Sequence, residues 1–179
     1  MSESAPKRHY LAHVAIHWVM ALLVFMMLVI GKFAMPGIPP DDLQKPMMLQ
    51  SHAYIGGSIA ALLIIRLVMR FAIKHPPADT NAGSRFLDFV AKATHLLLNV
   101  LLLGMAASGL GLFQMADLSA IFSGVQPYPQ DFFKYPPRMG HGLTSSLPLI
   151  LILLHFGAAM YHQFIRKDNL MARMWFGKD

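Results

Sequence analysis

Apolar and charged residues fall in separate blocks along this chain. Four windows, 9–31, 46–65, 93–116 and 139–165, contain no Asp, Glu, Lys or Arg. Each is long enough for the roughly 20 helical residues that cross a bilayer core. The pattern predicts four membrane helices over about 11–33, 47–72, 85–113 and 139–165, forming one integral membrane domain with no soluble domain and no internal repeat. The prolines and glycine of "MPGIPPDD" stop the first helix, and "KHPPADTNAG" turns the chain between the second and third. The longest connection, 116–138, is rich in Pro and aromatic residues, and Pro148 predicts a kink in the fourth helix.

Composition agrees with this pattern. The chain is 55% hydrophobic and 13% charged, against about 25% charged in soluble domains. The first apolar segment follows Lys7 and Arg8 as a signal peptide would, but it is too long for a signal h-region and "GKFAMPG" is a poor cleavage site, so it is expected to stay as a mature helix.

The net charge of +6 is placed for membrane orientation rather than for nucleic acid. With four crossings, one side receives Lys7, Arg8, Arg66, Arg70, Lys74, Arg85, Lys92, Arg166, Lys167, Arg173 and Lys178, and the other only Lys32, Lys45, Lys134 and Arg138. The positive-inside rule then puts both termini in the cytoplasm, which predicts a multi-pass membrane protein surrounded by lipid. Cysteine is absent, which excludes disulfides, thiolate metal sites, iron–sulfur clusters and covalent c-type haem.

The chemistry that remains is imidazole. His17, His52, His95, His141 and His155 lie inside or at the rims of the apolar windows, with His162 at the boundary of the last, and ionisable residues at such depth are functional candidates. Alternating helix direction puts His17, His95, His155 and His162 toward the cytoplasm, and His52 and His141 at the outer ends of their helices. His141 and His155 are fourteen residues apart, which is about 21 Å of rise and about 40° of rotation, so one helix face offers a ligand at two depths. Haem iron takes two axial imidazoles. His52 matches His141 in depth and His17 matches His155, giving two bis-histidine b-type haem sites stacked across the bilayer.

Gly56, Gly57, Gly142 and Gly157 leave gaps beside these histidines for a porphyrin plane. Gly104, Ser108, Gly109 and Gly111 in the third helix permit close approach of a helix or a flat ligand. Arg66 lies fourteen residues beyond His52, where it meets either the propionates of the inner haem or lipid headgroups. Divalent-metal transport and proton relays both call for carboxylates, and the four windows contain none. His162, about 10 Å beyond His155, is either a quinone-contacting or proton-relay group or an interfacial histidine. His13 and His95 are either supporting or quinone-site groups or packed at the interface. His9 and His75 read as solvent-exposed.

These residues resemble the bacterial cytochrome b561 family of four-helix di-haem membrane cytochromes. The likeness covers nearly the whole chain, through "AIHW", "SHAYIGGSIAALLIIRLVMR", "THLLLNVLLLGMAASGLGL" and "HGLTSSLPLILILLHFGAAMYHQFIRKDNLMARM". The last, with His-x13-His-x6-His, is the most specific. The resemblance implies His17 and His155 on an inner haem, His52 and His141 on an outer one, and electron transfer between an outer donor and membrane quinone. One activity in the family is oxidation of superoxide with reduction of ubiquinone, and His162 matches the position associated with the inner quinone site. An anionic donor would be steered to the outer haem by Lys134, Arg138 and Lys45, and protons would reach quinone near His162 and His95. Two other readings stand beside this one. The chain is either an anchor cytochrome linking quinone to a separate soluble redox partner, or a haem-free small transporter whose histidines only pack.

Overall fold

The computed structural model describes residues 9–73, 84–168 and 170–176. Lys7, Arg8, Lys74, His75 and Lys178 lie outside them. Among the described residues the chain is all helix and turn, with no strand. Its long helices are α1 (Leu11–Val29), α2 (Gln44–Ala72), α3 (Arg85–Met115) and α5 (Pro137–Met160), with a short α4 (Leu118–Phe122) between the last two. π-helical turns extend α1 over Ile30–Ala34 and α5 over Tyr161–Arg166, and 3-10 turns follow at Met35–Gly37 and Leu170–Met174.

With their terminal turns, the four spans run 27 to 31 residues, more than the roughly 20 that a bilayer core needs. The surplus lets helices tilt or project into the headgroups. Only α1 turns a long stripe inward, with Val14, Met20, Val24, Met27 and Leu28 buried. Leu63 of α2 and Pro148 of α5 are also fully enclosed. Large apolar side chains such as Leu22, Phe25, Phe71, Leu110, Leu153 and Phe164 face outward, as lipid-facing positions require.

Packing around the bundle is uneven. α5 lies closely along α3, and α2 packs on α1 and on α3, but α5 makes only sparse contact with α1 and α2. Small residues explain the close seam. A Cβ at Gly111 would meet Pro137 Cγ at 3.0 Å, and one at Gly104 would meet Thr144 Cγ2 at 3.5 Å. Of the two uses expected for these small residues, helix approach is the one seen at Gly104 and Gly111. α5 runs through Pro148 without interruption.

Helix boundaries depart from the expected ranges where local chemistry permits. α2 begins at Gln44, because Pro46 falls in the first turn, where a missing amide proton leaves no helical bond unmade. α5 begins at Pro137 for the same reason. The connection 116–138 holds α4, started by the Asp117 carboxylate accepting from the Ala120 amide at 3.3 Å. Ala116, Leu118 and Ile121 form an apolar knot there with Leu49, Phe113, Phe122, Tyr128, Phe132 and Tyr135. At the opposite end the two termini meet, where the His9 amide donates to the Arg173 carbonyl at 3.1 Å and Trp18 Nε1 donates to the Met174 carbonyl at 2.6 Å. His9 is therefore half-buried and His13 buried, whereas His9 had been expected in solvent. These two ends are called the loop end and the terminal end below.

Lys45, expected in an open loop as an anion-steering group, is 8% exposed. Its Nζ donates to the Met35 carbonyl, which also accepts from the Ile38 amide at 3.3 Å, and to the Ile38 carbonyl just past the last helical turn. Lys45→Met keeps the aliphatic stem but takes the ammonium from both carbonyls, leaving that of Met35 with the Ile38 amide alone. It should destabilise the protein by about 1–3 kcal/mol, read as a lower thermal unfolding midpoint in detergent. An unchanged midpoint would show that the ammonium does not hold this corner.

Candidate functional site

Five of the singled-out residues gather into two groups, one near each end of the bundle. Near the terminal end, His17 of α1 faces His155 of α5 with ring centroids 6.4 Å apart and planes at 77°. His95 of α3 approaches the same His155 ring at 5.1 Å. Near the loop end, His52 of α2 faces His141 of α5 at 6.1 Å and 70°. Both pairs therefore bridge the seams where α5 stands off from α1 and α2, and α5 supplies one imidazole to each.

The spacing suits a metal between the rings. Two metal–nitrogen bonds of about 2 Å, plus about 1.1 Å from each nitrogen to its ring centre, separate trans imidazole centroids by about 6 Å. Among the described residues no group of three or more His, Cys, Asp or Glu could hold a bare ion. An ion between two imidazoles thus needs equatorial donors from another source, and porphyrin nitrogens are such a source. The residues fit haem.

Groups around the rings hold them in place. His141 Nδ1 lies 3.2 Å from the Met105 carbonyl and 3.1 Å from Ser108 Oγ. A carbonyl only accepts, so Nδ1 carries the proton and Nε2 stays free to bind metal. Glycines allow the rings their positions. A Cβ at Gly31 would lie 3.2 Å from His52 Cε1, and one at Gly109 would lie 3.3 Å from His141 Cε1. Gly56, Gly57 and Gly157 border open space, as a porphyrin gap would require, whereas a Cβ at Gly142 would meet Arg138 Nη1 at 3.3 Å.

Each pair has an arginine within electrostatic reach. Arg66 acts on His17, His95 and His155, and Arg138 acts on His52 and His141. Neither has an acidic partner among the described residues, so each can receive an anionic group. Arg138 also lies 5.0 Å from the Phe133 ring and within reach of Tyr128, whose phenol burial pushes above its ordinary value against the pull of that guanidinium. Lys134 is exposed, its Nζ 5.0 Å from the Tyr135 ring centre.

His162 stands apart from both pairs, in the π-turn after α5. Its Nδ1 is 2.6 Å from Asp168 Oδ2. The Lys167 backbone takes the left-handed conformation at φ 55°, which folds Asp168 back onto the helix end. Gly31, Met105 and Asp168 carried no signal in the sequence that marked them as neighbours of a histidine. Only a residue following a helix stop, such as Asp168, could have been suspected of capping it.

A family model for prokaryotic cytochrome b561 matches residues 8–177. The chain is 26% identical to cytochrome b561 homolog 1 of Escherichia coli strain K12, across 89% of this chain and 92% of that protein. It is 24% identical to the probable superoxide oxidase CybB of Yersinia pestis, across 94% and 96%. It is 25% identical to cytochrome b562 of Cereibacter sphaeroides, across 90% of each. With four spans and two facing imidazole pairs, the chain belongs to the prokaryotic cytochrome b561 family, as a multi-pass bacterial membrane protein that binds haem b and transfers electrons.

Proposed function

We propose that the protein holds two b haems and passes electrons from a donor at the loop end to membrane quinone at the terminal end. The two imidazole pairs, at 6.1 and 6.4 Å, carry this reading. His52 and His141 hold one haem, and His17 and His155 the other. Bound there, the two groups supply one-electron carriers at two depths. Arg66 and Arg138 place a cation beside each pair, suited to propionate carboxylates. The whole chain is one membrane unit of the bacterial inner membrane, with the terminal end in the cytoplasm, because eleven of its fifteen Lys and Arg residues fall on that side.

The printed name of the Yersinia relative points to superoxide as the donor. Arg138 acts on the loop-end pair and, with the exposed Lys134 four residues before it, would attract an anion to that end, while Lys45 is engaged with its two carbonyls. Ubiquinone is the acceptor. At the terminal end His162 gives protons to its oxygen, with His95 beside the inner pair.

Haem content tests the ligand assignment. A pyridine haemochrome assay on detergent-purified protein should give two b haems per chain for the parent and about one for each of His52→Ala, His141→Ala, His17→Ala and His155→Ala. A variant that keeps both haems would show that the replaced histidine does not hold one. Replacing Gly31 with Val should also lower occupancy at the loop-end pair alone, since its side chain would displace the His52 ring.

The donor reading has its own test. Lys134→Gln with Arg138→Gln should slow reaction with superoxide by about tenfold at low salt and flatten its ionic-strength dependence. Lys45→Met should leave that dependence as it is. Equal salt slopes in the double variant and the parent would sink the steering role.

A further inference from the structure

The turn that ends α5 joins a histidine to a carboxylate that none of the haem-site geometry uses. Helix α5 widens into a π-turn over Tyr161–Arg166, and Lys167 then reverses the chain in the left-handed region at φ 55°. The Asp168 amide donates to the His162 carbonyl at 3.4 Å, and the Leu170 amide donates to Asp168 Oδ1 at 3.3 Å. Asp168 is thus anchored through its backbone and one carboxylate oxygen. The other oxygen meets His162 Nδ1 at 2.6 Å and lies 3.6 Å from Arg166 Nε. π-Turns of this kind recur at functional sites.

We infer that Asp168 is a positioning residue for quinone reduction, holding the His162 imidazole with Nδ1 protonated and Nε2 turned to the substrate oxygen. This rests on the quinone reading of His162 above. An ionised carboxylate only accepts hydrogen bonds, so the proton between the two groups belongs to Nδ1, and Nε2 is the exchangeable position. Burial alone would raise the Asp168 carboxyl, but bonds from His162 and the Leu170 amide, with the charges of His162 and Arg166, hold it below the ordinary carboxylate range. The carboxylate therefore stays charged at neutral pH and remains an acceptor for the Nδ1 proton.

The chemistry balances with the donor already proposed. One quinone takes two electrons, one from each of two superoxide anions oxidised to dioxygen at the loop end, and two protons. In each protonation the His162 Nε2–H bond breaks and an O–H bond forms on a quinone oxygen. The neutral imidazole remains bonded to Asp168 through Nδ1, and Nε2 regains a proton from water at the terminal end. Two such transfers complete the quinol.

The test uses haem-loaded protein in detergent with a short-chain ubiquinone analogue. Asp168→Asn keeps an acceptor oxygen but removes the charge. It should lower kcat for quinone reduction by about tenfold and change KM by less than about twofold, with haem content and donor-side reduction as in the parent. Asp168→Glu should recover most of the loss. If Asp168→Asn matches the parent while His162→Gln is slow, the role of Asp168 is overturned and the quinone reading of His162 stands. If His162→Gln is as fast as the parent, both are overturned. Independently of any variant, ¹⁵N resonances of labelled histidine in the parent should show neutral His162 protonated on Nδ1. Protonation on Nε2 instead would overturn the proposal even if Asp168→Asn failed to fold.

Discussion

Everything in this bundle depends on how α5 is held. A polar side chain in a lipid-embedded segment needs a partner, because hydrocarbon offers none. α5 carries His141 and His155 on nearly one face, and that face looks across to α1 and α2, with which α5 makes only sparse contact. The standoff is stable because the helix is fixed on another side, where the small residues of α3 let Pro137 and Thr144 approach. One seam is tight so that two others can stay wide, and the wide ones contain the facing imidazoles. An all-round tight packing of the same helices would bury more apolar surface but would close the space between the rings.

Much of this was legible from composition and spacing. Charge-free windows mark helices that must cross lipid, and a fourteen-residue interval on one helix marks two depths on one face whatever the tertiary contacts are. The pairing of His52 with His141 and of His17 with His155 follows from depth, since helix direction alternates and each helix has one rise per residue. Arg66 beside the terminal-end histidines follows in the same way.

The rest depends on contacts between residues far apart in sequence. Lys45 reads as an exposed loop cation because nothing in "DDLQKPMM" reveals that the carbonyls of Met35 and Ile38, past the end of α1, lie within its reach. Gly31 reads as a helix terminus, and its role is to let the ring of His52 pass on another helix. α4 is short, and its carboxylate cap and apolar knot draw on Leu49 from α2 and Phe113 from α3. Asp168 lies only six residues past His162, yet the contact requires both a π-turn and a left-handed residue, and neither has a reliable sequence signature.

The two ends of the molecule differ in what their chemistry demands. In the proposed reading a donor arriving at the loop end need only bring an electron, and the structure there offers cationic side chains over aromatic rings, Arg138 near Phe133 and Lys134 near Tyr135. Such a surface attracts anions and has little means of managing protons. At the terminal end a quinone acceptor must gain a proton for every electron, so an uncharged aromatic surface would not serve. There the chain places its one histidine–carboxylate contact among the described residues, with Asp168 beyond the last charge-free window and partly open to water. Proton-handling groups are thus kept off the path between the imidazole pairs. That separation lets the four charge-free windows do without carboxylates while the proposed reaction at the terminal end would still draw protons from solution.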